Sequence, residues 1–158
     1  TNMVSLAIDA AKDASVADGK RKIVVTDIHG NLLAEDTVVE AKVDANSMRQ
    51  VLTNLLANAS RFSPAGAQIE IALDNNAKVD GRRHLVLEVR DHGEGIPEQL
   101  REKVFERFYR VDNSRNSETG GSGLGLAIVS TIVARHGGTI VATETPGGGA
   151  TLRVAIPA

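Results

Sequence analysis

The chain has 158 residues, is 42% hydrophobic and 24% charged, and carries a formal charge of −2. That is the size and make-up of one globular domain with a single core, and a charge so small gives no argument for nucleic acid or an anionic membrane surface as partner. The absence of cysteine excludes a disulfide framework, thiolate chemistry and sulfur-ligated zinc. No apolar run approaches the roughly 20 residues that cross a bilayer, and no signal peptide opens the chain. Thr1 already lies inside an apolar pattern, so the chain is expected to be a piece of something longer.

Met3, Val4, Leu6, Ala7, Ala10 and Ala11 recur at helical spacing and predict a first amphipathic helix ending near Gly19. KIVVTDI (22–28) followed by HGN reads as a strand and a turn. A second helix is expected from Asp44, an N-cap, to Phe62, where SPAG stops it. AQIEIAL (67–73) and HLVLEVR (84–90) alternate apolar and polar residues as half-buried strands do, with the polar stretch DNNAKVDGRR as their connection. Residues 97–106 read as a short helix, and 112–122, with no aliphatic or aromatic side chain, as a mobile loop. A buried helix then runs to His136, followed by strands TIVATE and ATLRVAI around a glycine turn. Helices alternating with antiparallel-looking strands predict a two-layer α/β (α+β) sandwich rather than a βαβ parallel sheet.

Eleven of the fifteen glycines fall after position 92. Four of them stand in GGSGLGLAIV (120–129), where a loop runs into a helix. A helix start offers free N–H groups and the positive end of a dipole, and glycines let backbone close around phosphate oxygens. A dinucleotide-binding loop needs a strand immediately before it, and here a polar run precedes. A Walker loop needs Gly-Lys-Ser/Thr, which the chain lacks. Taken alone, the segment fits a phosphate cradle or a flexible hinge equally well.

Two further stretches narrow the choice. In RDHGEGIP (90–97), Asp91 ends a strand and Gly93 and Gly95 turn the chain away from it, leaving a carboxylate acceptor that suits a ligand amine such as that of adenine. An Asx turn closing a hairpin is the plain alternative. On the helix MRQVLTNLLANASRF (48–62), Val51, Leu52, Leu55, Leu56, Ala59 and Phe62 form the apolar face, while Asn54, Asn58 and Arg61 form one polar stripe. Solvated stripes are usually Lys and Glu, and interior asparagines weaken a helix unless their amides bind something. An amide oxygen suits Mg²⁺, and an arginine beside it suits phosphate.

Asn54–Asn58 with Arg61, DHGEG (91–95), FERFYR (105–110), GGSGLGL (120–126) and GGGAT (147–151) resemble, in order, the N, G1, F, G2 and G3 boxes of the ATP-binding catalytic domain of sensor histidine kinases. The resemblance spans nearly all of residues 1–158. It implies the sandwich shared with gyrase, mismatch-repair and chaperone ATPases: a mixed, mainly antiparallel sheet covered on one face by three main helices, with a flexible ATP lid at about 97–122. It further implies that Asp91 holds adenine with Thr151 assisting through water, and that Asn58 coordinates Mg²⁺ with Asn54 in support. Arg61 and Arg110 would reach the terminal phosphates, making Asn58, Arg61 and Arg110 the catalytic set. Gly121, Gly123 and Gly125 would cradle phosphate, and Gly93, Gly95, Ile96, Tyr109, Leu124 and Leu126 would complete the nucleotide contacts.

Gyrase-like relatives place a glutamate one turn before the magnesium asparagine to activate water. Here that position is Asn54, no general base, which implies slow hydrolysis and transfer to another acceptor. The partners implied are the histidine-bearing dimerisation domain of a parent homodimer, absent from this chain, and a response regulator. The domain itself would lie in the cytoplasm without touching the membrane, its parent anchored in a bacterial cell membrane. None of His29, His84, His92 and His136 precedes a glutamate, as family acceptor histidines do. A serine kinase of the anti-sigma type and an ATP-sensing module without catalysis remain the alternatives.

Overall fold

A computed structural model of the chain describes residues 1–106 and 125–158. Three α-helices, α1 (Met3–Ala17), α2 (Ala45–Phe62) and α3 (Gly125–Arg135), accompany five strands: β1 (Ile23–Asp27), β2 (Ile69–Val79), β3 (Arg82–Arg90), β4 (Thr139–Glu144) and β5 (Ala150–Pro157). The helices begin where side-chain oxygens can take up free amide groups. Asn2 accepts from Val4 N at 3.1 Å, and Asp44 accepts from Ser47 N at 2.8 Å.

The strands form one sheet in the order β1-β2-β3-β5-β4. β1 and β2 are parallel, and every other neighbouring pair is antiparallel. The α/β sandwich expected from the sequence is therefore present, its sheet mixed and mainly antiparallel as the family resemblance implies. β1, α2 and β2 make a βαβ crossover at one edge, a unit that the strand pattern alone did not announce.

One correction concerns 74–83. The polar stretch is strand almost throughout, because β2 runs to Val79 and β3 starts at Arg82. Asp80 and Gly81 have φ of 50° and 78°, the left-handed pair that a two-residue hairpin demands. The pairing slips between Asp74 and Ala77, as in a β-bulge. The short helix expected at 97–106 is two separate 3-10 turns, Glu98–Leu100 and Lys103–Phe105.

Alternation along each strand puts Ile69, Ile71 and Leu73 of β2, Leu85, Leu87 and Val89 of β3, and Leu152, Val154 and Ile156 of β5 into one core. Met48, Val51, Leu52, Leu55 and Leu56 of α2 pack on them fully buried, joined by Met3, Val4 and Ala7 of α1 and Val129 and Val133 of α3. Each such Leu or Val side chain taken from water is worth about 1.5–3 kcal/mol. The helices thus cover one face. On the other, Glu88 is clasped between Arg90, at 2.9 and 2.6 Å, and Arg153, at 3.0 Å.

Candidate functional site

Asp91 stands one residue past the end of β3 and is only 3% exposed. It continues the inward series of Leu87 and Val89, so its side chain belongs to the helix-covered side. Its Oδ1 accepts two backbone N–H groups, from Gly93 at 3.1 Å and from Ala150 at 2.9 Å. The first is the Asx turn anticipated from the sequence. Among the described residues Oδ2 accepts nothing, so the turn uses half of the carboxylate and leaves the other half for a donor.

Two glycines make this placement possible. A Cβ on Gly93 would run into the carbonyl oxygen of Phe62 at the exit of α2. Gly149 has φ of +116°, and a Cβ there would strike the carbonyl of Asp91. The Asp91 turn is therefore pressed between the end of α2 and the turn before β5. Next to it opens a cleft of about 1010 Å³ whose walls include Arg61, Phe62 and Ser63 from α2's exit, Gly93, Gly95 and Ile96 from the turn, and Gly149.

The asparagine stripe lies on the same side. Asn58 is 8% exposed, and its Oδ1 meets Arg61 Nη2 at 3.5 Å. Asn54 donates to the carbonyl of Gly125, the first residue of α3, at 3.4 Å. Arg61 is exposed, with its guanidinium 4.8 Å from the centre of the Phe62 ring. Leu126 is half-buried against the core. The stripe thus bridges α2 to the start of α3. Tyr109, Arg110, Gly121, Gly123 and Leu124 lie outside the described residues, as does most of the lid expected at 97–122.

Thr151 does not join this group. The register pairs it with Arg90, whose side chain lies with Glu88 and Arg153 on the sheet face away from the helices. Directly paired residues share a face. The Thr151 hydroxyl is instead buried against that of Thr145, at 2.9 Å. Ala150, one residue earlier, is the neighbour of Asp91, and it contributes its backbone N–H. A strand shifted by one residue reverses every side chain, and this is the physical reason for the correction.

Two pairs beside the cleft went unread in the sequence. His92 Nε2 is 2.8 and 3.0 Å from the two Glu70 carboxylate oxygens, which ties the turn to β2. Arg21 bonds to the segment after α2. The partners are 22 and more than 40 residues apart in sequence, and nothing in local spacing could have joined them.

Residues 43–158 match the family described as Histidine kinase-, DNA gyrase B-, and HSP90-like ATPase. The chain is 42% identical over 127 residues to the sensor histidine kinase WalK of Bacillus subtilis, a match covering 80% of this chain and 20% of that protein. It is 42% identical over 146 residues to the probable sensor histidine kinase TcrY of Mycobacterium tuberculosis, covering 92% of this chain and 28% of that one. The chain thus spans less than a third of the length of these curated relatives. Its fold superposes on the mycobacterial sensor histidine kinase MprB with a TM-score of 0.79 at 28% identity, over 99% of this chain and 96% of that one. By its sequence over 43–158 and by its fold, the chain belongs to the histidine kinase-, DNA gyrase B- and HSP90-like ATPases.

Proposed function

We propose that the chain is the ATP-binding catalytic domain of a sensor histidine kinase. It binds Mg-ATP and donates the γ-phosphoryl group to a histidine on the dimerisation domain of its parent, for relay to a response regulator. The observation that carries this reading is the divided carboxylate of Asp91: a buried acceptor, fixed through one oxygen and open at the other, beside a cleft. The exocyclic amine of adenine is a donor of the required kind, whereas guanine presents a carbonyl there.

Asn58 fits a magnesium ligand. Its amide is held at the inner edge of the stripe, and Arg61 approaches its oxygen only at the outer limit of a hydrogen bond. Among the described residues no group of three His, Cys, Asp or Glu is placed to hold a metal. An ion here would take one amide oxygen from the chain and the rest from phosphate and water, the surroundings Mg²⁺ favours. Bound so, Mg²⁺ neutralises charge on the transferring group. Arg61 clamps phosphate, with Arg110 as its expected partner, and Gly121, Gly123 and Gly125 cradle it at the α3 start.

Asn54 lacks a basic oxygen and donates to Gly125, so it supports the α2–α3 junction rather than activating water. The acceptor histidine belongs to the part of the parent that lies beyond the stretch matched in the longer relatives. No described helix is long and apolar enough to cross a membrane. In this reading membrane anchoring falls to the parent, with this domain on its cytoplasmic side.

The test is incubation with γ-labelled ATP, alone and with the parent's dimerisation domain supplied in trans. Acid-labile, base-stable label on the supplied domain, and none on this chain, is the expected outcome. Acid-stable label would favour the serine-kinase alternative. Nucleotide binding without transfer to any partner would favour the sensing module.

A further inference from the structure

The exit of α2 is held in an unusual way. The helix is capped by Ser63 at φ −86° and ψ 144° and then meets Pro64, with no left-handed glycine to satisfy its last carbonyls. The segment that leaves the helix is held instead by a side chain that stands just before β1. Arg21 Nη1 donates to Pro64 O at 2.9 Å and to Ala67 O at 2.7 Å, and Nη2 reaches Ser60 O at 3.5 Å. Its Nε bonds to Asp18 at the end of α1. The Arg21 side chain is 4% exposed.

Burying a guanidinium is costly, and well-packed hydrophobic residues often replace a buried ion pair without loss. Stability alone is therefore a poor reason for an arginine at this place. What the fork does supply is direction: it fixes three carbonyls on either side of Arg61, Phe62 and Ser63 at once. Those three residues line the cleft, and the Phe62 carbonyl is the surface against which Gly93 and the Asp91 turn are pressed.

We propose that Arg21 is a positioning residue for the nucleotide cleft, one that ties the corner between α1 and β1 to the cleft wall built on the exit of α2. The proposal rests on the nucleotide reading above. A movement of the α1–β1 corner shifts the α2 exit through the Arg21 fork. The same shift displaces the Phe62 carbonyl and with it the turn that carries Asp91. Nucleotide affinity thereby becomes sensitive to the N-terminal helix, which has no residue in the cleft itself.

The experiment measures ADP affinity by calorimetry and the thermal midpoint on the full chain. It compares wild type, Arg21→Met, Arg21→Lys and Ile156→Val. Ile156 sits at the far end of β5 from Ala150 and serves as a stability control. Arg21→Met should weaken ADP about tenfold, one decade corresponding to 1.4 kcal/mol. Arg21→Lys, which keeps the charge and loses the fork, should weaken it by about threefold. Ile156→Val should lower the midpoint and leave affinity alone. Wild-type affinity in both Arg21 variants would overturn the proposal, whatever their midpoints. If Arg21→Met does not fold, Arg21→Lys decides on the same terms. A wild-type chain that fails to bind ADP would instead refute the nucleotide reading on which the proposal depends.

Discussion

Asp91 follows the end of β3 and Thr151 lies in the neighbouring β5, yet they face opposite sides of the sheet. The contrast gives different expectations for residues that the family resemblance groups together. Thr151 spends its hydroxyl on Thr145 in a buried pair, away from the helices. Replacing Thr151 by Val removes that hydrogen bond and leaves the Thr145 oxygen without its partner. The loss should be on the order of 1 kcal/mol of stability, read from urea unfolding. Affinity for ADP should stay within about twofold of wild type, because the side chain does not reach the cleft side of Asp91. A drop of a decade or more in ADP affinity would restore Thr151 to the base-recognition set. Gly149 is the more demanding neighbour: its φ of +116° and its contact with the Asp91 carbonyl leave no room for any side chain.

α2 carries two patterns on one helix. Its apolar face supplies Leu52, Leu55 and Leu56 to the core, while on its polar stripe Asn54 meets the start of α3 and Arg61 lines the cleft. Both ends of the helix depend on carboxylates. Asp44 caps the start, and its carboxyl is held below the ordinary 3.8, chiefly by hydrogen bonds from Ser47. Asp18 holds Arg21 at the exit, and its carboxyl is likewise held below 3.8, chiefly by the Arg21 hydrogen bond and against the opposing effect of burial. A folded-state value lower than the unfolded one means that folding favours the charged form. The resulting stability is fully present above the unfolded value near 4, and it is lost as pH falls through the lower folded value. The urea midpoint should therefore be nearly level from about pH 7 to 5 and fall below about pH 4. In Asp18→Asn, which cannot titrate, the midpoint should start lower and lose less between pH 6 and pH 3. An equal acid loss in variant and wild type would show that the Asp18–Arg21 pair contributes nothing.

Across the whole molecule, the periodic elements were legible because burial imposes periods of 3.6 and 2 on the sequence. α1, α2, α3, β4 and β5 lie within a residue or two of where their apolar patterns put them. Only the outer half of the β2–β3 hairpin, 74–83, was read as a connection, because its residues are mostly polar and none is buried; Asp80-Gly81 marks the turn. The parallel β1–β2 pair was implied by the family resemblance, not by the strand pattern: strand direction depends on the crossover through α2, not on residues within either strand. Asp91 and the asparagine stripe stood out in the sequence as polar residues that local stability does not require. Thr151 was misplaced because motif spacing does not resolve a one-residue register. Arg21 left no signal at all, since its acceptors are main-chain carbonyls 39 to 46 residues away. The proposed site rests on the Asp91 oxygen that accepts nothing among the described residues, and Asp91→Asn addresses that atom with little else changed. The asparagine amide keeps an acceptor for Gly93 N and Ala150 N and turns a donor toward the place proposed for the adenine amine. Calorimetric titration of ADP into both proteins, with circular dichroism to confirm the fold, is the direct measurement. Affinity should fall by about one to two decades in a fully folded variant, the loss of a charged hydrogen bond being about 1.5–3 kcal/mol. Unchanged ADP affinity in folded Asp91→Asn would contradict the account.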